Sequence, residues 1–204
     1  MRPSSEAEMI AEFLRQEYAS HNRYGAVLDE CLAQEGVSAS QLTQPDLRDP
    51  GANAERRRVF ARYRGYGTGG SSYLTGFPDT GVAWNWVALT PDELLESTYN
   101  SYPGSPWMDL SLNTRDPRVA AKLITSGYAI PDCDPGVFFN LASKLRSGLT
   151  VPPPILVSAD DGQTRVILEG HTRLTAYALA PETIPSDIHV ILGISPAIAN
   201  WDEY

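Results

Sequence analysis

The chain has 204 residues, 42% of them hydrophobic, which is enough for one cored domain with or without an annex and excludes disorder over most of its length. Sixteen Lys and Arg against 25 Asp and Glu give a net charge of −9, a balance that argues against a surface that tracks phosphodiesters and so disfavours duplex DNA. Cys31 and Cys133 form no CxxC or Cys/His grouping, and no apolar run approaches the roughly 18 residues of a membrane span, so the composition points away from a disulfide framework, a zinc site and a membrane, toward a cytoplasmic protein with two reduced thiols.

In chain order, residues 5–64 carry helical periodicity, with Met9, Phe13 and Leu14, then Val27, Leu28, Cys31 and Leu32, then Val59, Phe60 and Tyr63. A polar interval, QPDLRDPGAN, interrupts them at 44–53. This predicts a helical annex over 1–64, with Arg56, Arg57, Arg58, Arg62 and Arg64 spread around one helix as a solvated face. Residues 65–81 alternate glycines with Tyr66, Tyr73 and Phe77. GYGTGG neither opens a helix nor ends in Lys-Ser/Thr, so a connector or lid is expected rather than a phosphate loop.

From 82 to 204 the punctuation is regular. Thr90-Pro91-Asp92-Glu93 is a capping box, Asp116-Pro117 and Asp134-Pro135 repeat the device, and Gly127 and Gly148 supply stops, which predicts three short helices. LSLNTRDP (110–117) places Asn113, Thr114 and Arg115 before the Asp116 cap, as a second arginine site for phosphates or an ordinary capping loop. Trp84, Trp86 and Trp107 are expected to pack in the core or a lid. PPPILVSADDGQTRVILEG then reads as two strands joined by Asp160-Asp161-Gly162, HTRLTAYALA as a helix and IHVILGIS as a strand. Where strand meets helix stands Glu169-Gly170-His171-Thr172-Arg173. The helix is expected to start near Thr172, and its unpaired N–H groups, with the Arg173 fork, make an anion site; Gly170 lets a ligand approach. The plainer alternative is that Thr172 is an N-cap, His171 a turn histidine and Arg173 a surface residue.

The stretch DPGVFFNLASKLRSGL followed by PPPILVSADDGQTRVILEGHTRLTAYALA resembles the N-terminal domain of the ParB/sulfiredoxin superfamily, over about residues 134–193. Its Gly-x-x-Arg turn, Gly170 to Arg173, matches the superfamily pattern, and Glu169-Gly170-His171 is most similar to the ParB-like free serine kinases. His171 stands where sulfiredoxin has its cysteine, which removes that repair chemistry. After its last strand the chain has neither the second phosphate motif nor the helix-turn-helix of ParB, which argues against clamp and centromere activity. The resemblance implies an α+β fold, with a ParB/sulfiredoxin-like core of a small mixed sheet and packed helices beside the annex. It implies a nucleotide-dependent enzyme, a Mg²⁺-dependent small-molecule phosphotransferase or nucleotide hydrolase, binding ATP or another nucleotide and a small acceptor. In that scheme Gly170, Thr172 and Arg173, with Asn113 and Arg115, hold phosphates; Glu169 binds metal or takes the acceptor's proton; His171 stabilises charge. The alternative is a non-catalytic, nucleotide-responsive module working through a protein partner or a homodimer.

Overall fold

The structure is a computed structural model describing every residue except 69–71 and 132, with the backbone alone described over 21–24. Among the described residues it is a mixed α and β protein with nine α-helices and a sheet of order β1-β2-β5-β3-β4. The chain divides into Pro3–Trp84 and a second unit of Met1–Arg2 with Asn85–Tyr204.

The edge strand β1 (Arg2–Pro3) leads into the first unit, which contains α1 (Glu6–Ala19), α2 (His21–Glu35), α3 (Ser40–Thr43) and α4 (Pro50–Arg64). Ser5 caps α1 by accepting from the Glu8 N–H. The polar interval at 44–53 is in part a helix start, because Asp49 accepts from the Gly51 and Ala52 N–H groups while Pro50 occupies the first turn. Phe13, Phe60, Tyr66, Phe77 and Trp84 follow one another at centroid spacings of 4.8, 5.1, 5.9 and 6.4 Å. Tyr66, Leu74 and Phe77 are buried, so the described part of the glycine-rich stretch packs into this unit. Its centre, residues 69–71, lies outside the described residues. Gly67, at φ 66°, lets the chain pass where a Cβ would stand 2.7 Å from Asp79 Oδ2.

Of the arginines of α4, Arg58 and Arg62 are exposed as expected and Arg56 is buried. Arg57 pairs with Glu6 and Asp79, Arg58 and Arg62 with Glu35, and Arg64 with Glu17. Arg56 is 1% exposed and donates to the Asp46 carbonyl and to Asn53 Oδ1. Five arginines at helical spacing cannot share one face, so one of them turns inward.

The second unit opens with β2 (Ala83–Leu89), whose first two residues belong to the first unit, then α5 (Pro91–Leu95), α6 (Pro106–Leu110), α7 (Pro117–Thr125) and α8 (Gly136–Arg146). The Thr90/Glu93 capping box and the Asp116 cap form as expected. At Asp134 the cap shifts: Pro135 is the N-cap, while Asp134 Oδ1 still accepts from Gly136 N. After Gly148 come β3 (Ile155–Ser158), β4 (Val166–Glu169), α9 (His171–Leu179) and β5 (Ile188–Ile194). β3 pairs antiparallel with β4 and parallel with β5, and α9 joins β4 to β5 while packing against α7 and α8. The core gathers Ile124, Phe138, Leu145, Leu156, Ile167, Leu174, Tyr177 and Leu192, the inward residues of helix and strand alike. The outer edge of β4 is bonded to Thr98, whose N–H donates to the Arg165 carbonyl.

The β3–β4 loop turns through Asp161 at φ 57° and Gly162 at φ 89°. Asp160 organises it, accepting from Thr164 Oγ1 (2.6 Å), Thr164 N (2.7 Å) and Ser158 Oγ (2.8 Å), and these bonds, Thr164's first, hold its carboxyl at about 2. A carboxyl depressed on folding contributes stability above its unfolded value near 4 and loses it as pH falls through about 2. Asp160→Asn is therefore expected to flatten the acid side of the stability curve between roughly pH 4 and 2, read by thermal unfolding beside the parent. An unchanged acid limb would show that Asp160 contributes nothing there.

Candidate functional site

The turn between β4 and α9 follows from its sequence. Val166, Ile167 and Leu168 are buried, so the strand is fixed on both faces until Glu169, the first residue with part of its side chain in solvent. Gly170 is the N-cap at φ 114° and ψ 17°, and α9 starts at His171. Thr172 is therefore not the N-cap but the second helical residue. The correction is one residue, and its cause is backbone: only glycine adopts this angle without strain. No side chain caps α9, which leaves the positive end of its dipole without a capping side chain.

Arg173 is 9% exposed and folds back over the turn rather than lying on the surface. Its Nη1 donates to the Pro152 carbonyl at 3.0 Å and its Nη2 to Glu169 Oε1 at 2.9 Å. A Cβ on Gly170 would meet Arg173 Nη2 at 3.1 Å and Pro154 Cα at 3.4 Å. The space that Gly170 leaves thus admits the guanidinium in this structure, where a ligand was expected.

His171 is 7% exposed, with its ring stacked on Trp107 (5.1 Å, 21°) and on Tyr99 (5.9 Å, 19°). The Tyr99 hydroxyl meets Thr175 Oγ1 at 2.6 Å, and that oxygen donates in turn to the His171 carbonyl at 2.8 Å. Burial raises the Tyr99 hydroxyl well above its ordinary range, with the Thr175 bond opposing, so it stays protonated. Tyr99→Phe is expected to cost about 1 kcal/mol, the worth of one hydrogen bond, read by chemical denaturation. A neutral result would show that the Tyr99 hydroxyl adds nothing to stability beyond what its ring contributes.

The Arg115 side chain is engaged within the chain, while of Asn113 only the backbone is bonded. Asn113 is exposed at φ 62° and its N–H donates to the Met108 carbonyl. Arg115 Nε donates to the Tyr99 carbonyl at 2.5 Å and its Nη1 to the Tyr204 carbonyl at 2.8 Å. Burial lowers the Arg115 guanidinium, with Tyr204 opposing. Of the two readings of LSLNTRDP, the capping loop is the one whose bonds are seen, with Leu112, Asn113 and Arg115 all at positive φ. Trp107 packs on His171 and on Phe138 (6.0 Å), and Trp84 is buried.

Sequence reasoning missed Pro152, Tyr99 and Thr175. Only Thr175 had a signal, standing four residues after His171 on one helix face. Among the described residues no group of three or more His, Cys, Asp or Glu is placed to hold a metal ion, and Glu169 already shares its carboxylate with Arg173. Mg²⁺ is usually held by one or two carboxylates together with substrate phosphates, and at this turn the carboxylate that would serve is that of Glu169. A phosphate fits better, since the uncapped helix end and a guanidinium meet at one turn. None of the described helices is long and apolar enough to cross a membrane. No protein-family model, curated protein or solved structure matches the chain.

Proposed function

We propose that the chain is a nucleotide-responsive binding module that takes the phosphates of its ligand at the turn between β4 and α9. The observation that carries this reading is the convergence of Arg173 with the uncapped first turn of α9, next to the glycine N-cap. The order of elements also supports it: a helix, a proline-led strand, an antiparallel strand, a Gly-x-x-Arg turn, a helix and a parallel strand follow one another in the order of the ParB/sulfiredoxin-like core. The second reading, a phosphotransferase or nucleotide hydrolase, is favoured by Glu169, whose carboxylate stands beside the same turn and could take an acceptor's proton. In that reading His171, at the first turn of α9, stabilises charge.

The test is a screen of the full chain with ATP, ADP, CTP and GTP, with and without Mg²⁺, reading thermal shift and product nucleotide together. A shift without product supports the module, product supports the enzyme, and neither for any nucleotide removes both. Duplex DNA is expected to show no binding at physiological salt, given a net charge of −9. Submicromolar, salt-sensitive retention in a mobility assay would contradict that.

A further inference from the structure

Between α3 and the first turns of α4 lies a cavity of about 290 Å³, with Gln41, Asp46, Asp49 and Arg56 in its wall and contained in the first unit. Arg56 is 1% exposed, so its charge is taken almost wholly out of water. Its Nη2 donates to the Asp46 carbonyl and to Asn53 Oδ1, and its Nη1 reaches the Gln41 carbonyl at 3.5 Å, a long contact. These acceptors are all uncharged. Asp46, Asp49 and Glu55 act on the guanidinium through space, and none of them pairs with it.

A brace between residues 41–46 and α4 would need only the two Nη atoms, and two buried groups are left over from it. Arg56 Nε–H has no acceptor in the chain, and Gln41 Oε1, whose amide Nε2 is given to Glu55, has no donor. Each is costly to bury unmatched, and both side chains line the same cavity. Asp46 and Asp49 each spend Oδ1 on backbone N–H groups, those of Arg48 and of Gly51 and Ala52, and commit Oδ2 to no described residue. The wall therefore offers one buried positive donor, one buried neutral acceptor and two carboxylate oxygens. A simple anion there meets two carboxylates, and a simple cation meets a buried guanidinium. A ligand with both charges finds a complement for each. The cavity is at the small end of ligand pockets, which run from roughly 300 to 1,000 Å³, so its ligand has few heavy atoms.

We propose that this cavity binds a small zwitterion of the α-amino acid class, its carboxylate accepting from Arg56 Nε–H and its ammonium group donating to Gln41 Oε1 and to the Oδ2 atoms of Asp46 and Asp49. The two charged groups of such a ligand are separated by a single carbon, and the two side chains that receive them already meet through Arg56 Nη1 and the Gln41 carbonyl. The site is independent of the β4–α9 turn, so its failure would leave the phosphate reading untouched.

The experiment records nitrogen–proton correlation spectra of the full chain titrated with the common L-amino acids singly, and with acetate and methylammonium as ligands of one charge. At least one amino acid with a small side chain is expected to shift the Arg56 Nε–H and the Gln41 side-chain amide together and saturably, at concentrations where neither control moves them. Asp46→Asn combined with Asp49→Asn keeps the backbone bonds, because asparagine accepts and caps as aspartate does, and is expected to weaken that amino acid by roughly 10- to 100-fold, the worth of hydrogen bonds to a charged group. Arg56→Lys is expected to lose the binding as well, and if it does not fold the aspartate variant still carries the test. The proposal is overturned if no amino acid moves the Arg56 Nε–H, which would make the cavity a solvent pocket, or if the double asparagine variant binds as tightly as the parent. Acetate or methylammonium binding as well as the amino acid overturns it too, in favour of a site for a single charge.

Discussion

Arg173→Ala is expected to weaken nucleotide binding by a factor of tens to hundreds, because it removes a charge-assisted contact that is nine-tenths buried and worth about 2–4 kcal/mol. The same change takes the ion pair from Glu169 and the Nη1 donor from the Pro152 carbonyl, at a further cost of about 1–3 kcal/mol in stability. Affinity must therefore be read at a temperature where the variant is folded. Arg173→Lys is expected to restore stability in part and affinity less, since an ammonium cannot reach two acceptors with a planar fork. Calorimetry and denaturant unfolding on the three proteins separate the two effects. Full nucleotide affinity in Arg173→Ala, in a protein that binds nucleotide, would move the phosphate site elsewhere.

Gly170→Ala is expected to disturb the same site through the backbone. At φ 114° an L side chain is strained by about 1–3 kcal/mol, and the new Cβ would stand 3.1 Å from Arg173 Nη2. The guanidinium is the flexible partner and has to yield. The variant is therefore expected to lose stability and to weaken the Glu169–Arg173 coupling as well, so that Glu169→Gln changes its melting temperature less than it changes the parent's. Equal shifts in both backgrounds would show that Arg173 keeps its place and that Gly170 acts on the turn alone.

What could be read from the sequence was local. Thr90 and Glu93 satisfy each other across one turn, and Asp116 and Pro117 start α7 by the same short-range chemistry, so their helices follow from four-residue patterns. Asp161 and Gly162 take the positive φ that an Asp-Gly pair allows, and the hairpin follows. The position of the β4–α9 turn was legible for this reason, although the start of α9 was displaced by one residue because Gly170 itself serves as the N-cap. The fates of the charged side chains were not legible. Arg115 is held by carbonyls 16 and 89 residues away in sequence, and Arg173 by one 21 residues upstream. The nest of Tyr99, Trp107 and His171 joins a residue after α5, one in α6 and one in α9, a meeting that no window of sequence contains. The inward turn of Arg56 likewise depends on Asp46 and Asn53 standing where they do.

The most direct measurement of a phosphate site at the β4–α9 turn is a nitrogen–proton correlation spectrum of the full chain, titrated with pyrophosphate and then with ATP. The backbone amides of Gly170, Thr172 and Arg173 and the Arg173 Nε–H are expected to shift together and to saturate at one affinity. Saturable binding that moves other amides and leaves these four signals in place, or no shift at millimolar pyrophosphate, would contradict it.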